Sequence, residues 1–141
     1  MTEVRQYCEL GASAQQVWSL VTDFGRFVEM LVASRDGTVR TRGAGVGMLR
    51  TVTVGGEHMI ERLDEIDERR WRTRYSMIAT GPFPVADYRA TITLNPLGEN
   101  RCALTWAGSF IPHGASESDA AEAVRSVYVE GIALMRQRFG G

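Results

Sequence analysis

Val46-Gly47-Met48-Leu49-Arg50-Thr51-Val52-Thr53-Val54-Gly55-Gly56-Glu57-His58-Met59-Ile60-Glu61-Arg62-Leu63-Asp64-Glu65-Ile66 is the stretch that decides the fold. Apolar and polar residues alternate on both sides of Gly55-Gly56, the period of half-buried strands. Paired glycines take the positive φ that a two-residue hairpin needs. With that turn, Val54 lies opposite Glu57, Val52 opposite Met59, and Arg50 opposite Glu61. Met48, Arg50, Val52 and Val54 then share one face. An arginine and a glutamate face each other among apolar neighbours.

The same period continues outward. Thr38–Arg42 is a polar strand, placed at an edge. Val46–Val54 and Glu57–Ile66 form the hairpin. Asp67-Glu68-Arg69 turns, and Trp71–Ala79 follows. Gly81-Pro82-Phe83-Pro84 cannot pair as a central strand, so it is a loop. Tyr88–Leu94 and Arg101–Ile111 complete the meander across the Asn95–Gly98 turn. Upstream, Val4, Gln6, Cys8 and Leu10 alternate with Glu3, Arg5, Tyr7 and Glu9 as a first strand. Ser13 and Gln16 make a capping box for a short helix, because their side chains satisfy free backbone donors at a helix start. Asp23 caps a second helix through Phe24, Phe27 and Leu31. Ser116 or Ser118 starts a long helix to about Phe139. Its Ala120, Val124, Val127, Gly131, Leu134 and Met135 recur at helical spacing and face the sheet. The prediction is an α+β domain over residues 1–141, with seven antiparallel strands wrapped around the last helix.

Carried across the sheet, the register places Glu61 opposite Tyr75 and Leu63 opposite Thr73. It places Tyr75 opposite Tyr88, and Tyr88 opposite Trp106. A polar row inside an apolar concave surface predicts a small-molecule pocket. The Gly55-Gly56 turn, the Gly81–Pro84 loop with Phe83, and Pro112–Gly114 gather at one end as its mouth. Arg50 then lies roughly 13 Å inside. Two readings of Arg50–Glu61 stay open: an ion pair that rivets two strands, or a device that orients a ligand with the Tyr75 and Tyr88 hydroxyls. For Tyr75, Tyr88 and Trp106 the alternative to a site is core packing. Val52, Val54, Met59, Leu63, Val127 and Gly131 are apolar lining, and Gly131 would leave room for a cavity.

Composition narrows the chemistry. The net charge is −1, which favours neither nucleic acid nor an anionic membrane. No apolar run is long enough for a membrane span and no leader precedes the first strand, so the expectation is cytoplasmic. All 16 cations are arginine; there is no lysine for a Schiff base, pyridoxal phosphate or a phosphate-binding loop. Cys8 and Cys102 read as reduced, buried thiols. His58 and His113 have no metal-ligand spacing, and no metal or other cofactor is expected. His113, by the mouth, is an acid/base candidate, although a surface loop explains it better. Gly43-Ala44-Gly45-Val46-Gly47 precedes a strand, not a helix, and is a hairpin connection. Asp23-Phe24-Gly25 looks like a kinase signature, but the chain lacks the rest of that machinery.

Taken together the chain resembles the START-like helix-grip superfamily (SRPBCC). This is the bacterial polyketide cyclase/dehydrase and lipid-transport group, with birch-pollen allergens and abscisic-acid receptors among its plant relatives. The resemblance rests on Val17-Trp18-Ser19-Leu20-Val21 with Asp23-Phe24, on Val46-Gly47-Met48-Leu49-Arg50 and on Glu61-Arg62-Leu63. It continues through Tyr75-Ser76, Gly81–Tyr88, Trp106, Val127-Tyr128 and Gly131-Ile132. It implies a sheet gripping the last helix around an apolar cavity. In the hormone receptors, residues matching Val52, Val54, Glu61, Tyr75, Tyr88 and Val127 line the pocket. The chain departs from the receptors between Val54 and Met59, where it is too short for their gate loop. It cannot supply the lysine that some enzymes of the superfamily use. Aromatic cyclases hold polyketides with Arg and Tyr groups, which keeps Arg50, Glu61, Tyr75 and Tyr88 as catalytic candidates.

The expected function is binding of an apolar small molecule, a lipid, polyketide or similar metabolite. The alternative is a polyketide cyclase, aromatase or dehydratase using the same cavity. A third reading is an interaction protein whose ligand alters a surface near Gly81–Pro84. A homodimer is compatible with all three.

Overall fold

The structure, a computed structural model, describes residues 1–141. Strand β1 (Thr2–Leu10) leads to helices α1 (Ala14–Val21) and α2 (Phe24–Val32), the latter followed by a short 3-10 turn, Ala33–Arg35. Six strands follow: β2 (Thr38–Arg42), β3 (Leu49–Val54), β4 (Glu57–Asp67), β5 (Arg72–Ala79), β6 (Val85–Pro96) and β7 (Cys102–Pro112). Helix α3 (Glu117–Phe139) closes the chain. The strands form one antiparallel sheet in the order β1-β7-β6-β5-β4-β3-β2. Every neighbour is a chain neighbour except at β1, which pairs with the last strand. The fold is the predicted α+β helix grip.

Local chemistry explains the helix starts. The Ser13 hydroxyl accepts from the Gln16 amide at 3.1 Å, while the Gln16 carboxamide accepts from the Ser13 amide at 3.0 Å. Asp23 accepts from the Arg26 amide and starts α2; Ser116, not Ser118, starts α3. Each cap satisfies a backbone donor that would otherwise be lost at the helix end. No helix is long and apolar enough to cross a membrane.

The first hairpin has the predicted register: Arg50 faces Glu61, Val52 faces Met59 and Val54 faces Glu57. Gly55 and Gly56 hold φ of 57° and 82°, as a two-residue hairpin turn demands. β3 begins three residues later than predicted, because Gly43, Gly45 and Gly47 all take positive φ and break the strand period.

The other predicted partners are corrected. Glu61 faces Met77 rather than Tyr75, and Leu63 faces Tyr75 rather than Thr73. Tyr75 faces Ala90 rather than Tyr88, and Trp106 faces Ile92 rather than Tyr88. Three features move the register. The β4–β5 turn extends to Trp71, held at φ 53°. β6 runs on through Pro96, so its turn starts later. Bulges interrupt β4 between Leu63 and Glu65 and β6 between Ala86 and Arg89. Most slips are by an even number of residues, so the inward face survives them. The β6 bulge centres on Asp87 at φ 50°, and it lets both Val85 and Tyr88 point inward.

The core lies between the concave face of the sheet and the three helices. Trp106, Phe27, Tyr128, Phe110, Leu104 and Met135 are among its fully buried side chains. On α3, Ala120, Val124, Gly131 and Met135 are buried as predicted, while Val127 and Leu134 are half-buried. Tyr128 and Ile132 are also buried on that face. Cys8 and Cys102 are free and buried.

Candidate ligand cavity

A cavity of about 360 Å³ lies between α2, α3 and strands β3 to β7. That is within the range of small-molecule sites. Fifteen of its 22 lining residues are apolar. Arg50, Val52, Val54, Met59, Glu61, Tyr75, Phe83, Tyr88, Trp106 and Val127 are all on its wall. Leu63 and Gly131 are not. Leu63 is buried further along β4. A Cβ on Gly131 would sit 2.7 Å from the Trp106 ring and 3.0 Å from Leu31, so the glycine makes room for Trp106 and not for a ligand.

The polar end is built around Arg50, whose side chain is 2% exposed. Its Nε donates to Glu61 Oε1 at 2.8 Å, and its Nη1 donates to the Phe24 carbonyl at 2.9 Å. The guanidinium is held between two rings, 3.8 Å from the Phe24 centroid and 4.7 Å from that of Tyr75. These contacts offset the desolvation of a buried charge. Nη2 of Arg50 and Oε2 of Glu61 have no protein partner. Every fully enclosed side-chain polar atom in the chain has a partner, so these two atoms are open to the cavity.

Tyr75 and Tyr88 continue this polar wall, with Tyr128 next to them but off it. Trp106 Nε1 donates to the Tyr75 hydroxyl at 3.1 Å, and the Tyr88 and Tyr128 hydroxyls share a hydrogen bond. The Tyr75 and Tyr88 rings lie 6.2 Å apart although the residues are not directly opposed. Burial, with the charge of Glu61 behind it, pushes the Tyr75 phenol up to about 12. Burial also raises Tyr88 and Tyr128 well above the ordinary phenol range. All three are neutral at physiological pH and act as hydrogen-bonding groups rather than bases.

The mouth differs from the expectation. Glu57 beside the hairpin turn and Pro82-Phe83 of the β5–β6 loop are on the cavity wall; Pro112–Gly114 is not. Its place is taken by Arg35, after α2, and Glu130 on α3, which form a 2.8 Å ion pair. His113 lies off the cavity, with its amide bonded to the Pro84 carbonyl. His58 is exposed and its ring bonds the Thr53 hydroxyl.

Sequence reasoning missed the α2 wall of Phe27, Val28, Leu31 and Val32. Its helical apolar period was visible, but period alone does not say whether a face meets side chains or space. Tyr128, which bonds the Tyr88 hydroxyl from outside the cavity lining, was missed too, although it lies one helical turn from both Val124 and Gly131. Arg35–Glu130 spans 95 residues and had no sequence signal.

Residues 1–140 match the family described as polyketide cyclase / dehydrase and lipid transport. The chain belongs to this family. Solved structures agree with the fold. The protein XoxI of Bacillus cereus is 24% identical with a TM-score of 0.86, over 99% of this chain and 96% of its own. A Bacillus thuringiensis protein is 26% identical with a TM-score of 0.85, over 98% of both chains. Norcoclaurine synthase from Thalictrum flavum, solved with dopamine and hydroxybenzaldehyde, is 18% identical. It has a TM-score of 0.77 over 96% of this chain and 84% of that one, a likeness of fold. No curated protein sequence matches the chain.

Proposed function

We propose that the chain binds one apolar small molecule, a lipid, polyketide or similar metabolite, in this cavity. Arg50, Glu61, Tyr75 and Tyr88 hold its polar end. The observation that carries the reading is the half-used ion pair. Arg50 Nη2 lacks an acceptor and Glu61 Oε2 lacks a donor, and both open onto a largely apolar space. Both atoms are accessible from the cavity, so a ligand oxygen can bond Nη2 in place of water, directly or through a retained water. Burial of the apolar body supplies the driving force, at about 25 cal/mol per Å² before the costs of association.

Val52, Val54, Met59, Phe83, Trp106 and Val127 shape the apolar part in this reading. Native mass spectrometry of protein purified from its own host tests it. An added mass that leaves on denaturation is expected. A bare protein that also fails to take up any lipid or aromatic ketone from a panel contradicts it.

One observation favours a second reading, turnover as a cyclase or dehydratase. Glu61 Oε2 is the carboxylate oxygen at the deep end of the cavity, beside Arg50; Glu57 and Glu130 sit at the mouth. There Arg50 would stabilise an enolate oxygen, the neutral phenols would donate to it, and Glu61 would move the proton. The released molecule, incubated with fresh protein, separates the readings by whether its mass or ring count changes.

A further inference from the structure

The convex face of the sheet carries a second concavity, independent of the internal cavity. It is an open trough of about 830 Å³, and only four of its 17 lining residues are apolar. Its geometry follows from the strand register. Arg5 on β1 faces Ala107 on β7, Ala107 faces Thr91 on β6, and Thr91 faces Arg74 on β5. The adjoining row reads Glu3, Ser109, Arg89, Ser76 and Arg62. Ala107, Thr91 and Ser109 are small, so the middle of the face is low. Arg5, Arg74 and Arg89 stand exposed around it. Three strand spacings separate Arg5 from Arg74, about 14 Å.

The acids near this face are largely used. Asp64 is held by Arg62 at 2.7 Å, and Glu65 by Arg72 at 2.7 Å. Asp67 lies within 4.0 Å of both Arg70 and Arg72. Glu3 is the unpaired acid, at one end of the trough. Arg5 and Arg89 belong to no ion pair, and Arg74 reaches only Glu65, at 3.8 Å. Three guanidinium groups therefore line one trough, none of them engaged in a side-chain hydrogen bond and only Arg74 in a long ion pair.

We propose that this trough binds a small molecule carrying two or three linked phosphates, of the polyphosphate or nucleoside-polyphosphate kind. Guanidinium forks bind phosphate oxygens in pairs, which a lysine ammonium does not do. The Thr91, Thr93, Thr105 and Ser109 hydroxyls on the floor add neutral donors. The spread of the three arginines calls for more than one anionic group in a single ligand. The recess favours a small molecule over a flat membrane surface, and with only four apolar residues among 17 the lining favours a polar ligand over an apolar body.

The test is an amide NMR titration of the whole chain with inorganic tripolyphosphate at fixed ionic strength. Saturable shifts are expected at Arg5, Arg74, Arg89, Thr91, Ala107 and Ser109, with sulfate much weaker. Arg74→Gln and Arg89→Gln change exposed strand positions and leave the fold intact; each should weaken binding tenfold or more. Shifts that grow without saturating, or affinity unchanged in the double variant, overturn the proposal. So does binding to phosphatidylserine vesicles or to a polyglutamate peptide without any binding of tripolyphosphate.

Discussion

Replacing Arg50 by methionine strands the Glu61 carboxylate in a site where its side chain is only 9% exposed. It also frees the Phe24 carbonyl and removes the cation from between two rings. Breaking one partner of a buried ion pair costs about 3–5 kcal/mol, because the remaining charge is poorly hydrated and has no counter-ion. The Glu61→Met variant strands Arg50 in the same way. Exchanging both for methionine removes both desolvation costs, and such exchanges are commonly neutral or stabilising by about 1–4 kcal/mol. The two single losses should therefore not add; the double variant should recover most of the stability. Urea unfolding reads this directly. With a slope of about 1–3 kcal/mol per M, a loss of 3 kcal/mol moves the midpoint by about 1–3 M. Ligand uptake separates riveting from binding. If the pair exists to hold a ligand, the double variant folds as well as the parent and binds nothing. Single variants that each lose under about 1 kcal/mol, with a double variant at their sum, would refute this account of the site's electrostatics.

Three further outcomes follow from the geometry. Gly131→Ala should destabilise by about 1–3 kcal/mol through the Trp106 clash, seen as a lower unfolding midpoint. Stability should fall as pH rises from about 10, where phenols of the unfolded chain ionise while Tyr75, raised to about 12, does not. Each such group removes about 1.4 kcal/mol per pH unit until its folded pKa is passed. Phenolate absorbance should accordingly show Tyr75, Tyr88 and Tyr128 ionising only with unfolding. Arg35→Ala should cost under about 1 kcal/mol, as exposed pairs do, yet speed release of a bound fluorescent fatty acid in stopped-flow.

Where a strand pair was joined by a short glycine turn, the sequence determined its register completely. Gly55-Gly56 left no freedom, and the Arg50–Glu61 pairing could be read from the spacing alone. Further across the sheet, turn length and bulges decided the partners. The left-handed Trp71 follows from no residue pattern, and an aspartate at Asp87 tolerates the left-handed region without demanding it as a glycine turn does. The inward face was still legible, because even slips preserve it. The cavity was legible on its strand side only. Its α2 wall depends on how far a helix stands off the sheet, and that distance is set by packing of Phe27 against Trp106, with ring centroids 5.5 Å apart. Gly131 shows the reverse case. An absent side chain is equally a sign of empty space or of a large neighbour, and here the neighbour is Trp106.

The most direct test of the binding account is a crystal structure of the protein with the small molecule it retains on purification. The account predicts a ligand oxygen about 2.7–3.2 Å from Arg50 Nη2, or one water away, with the apolar body against Val52, Met59 and Val127. A ligand whose polar end lies at the mouth beside Arg35 and Glu130, leaving Arg50 and Glu61 unchanged and untouched, would contradict it.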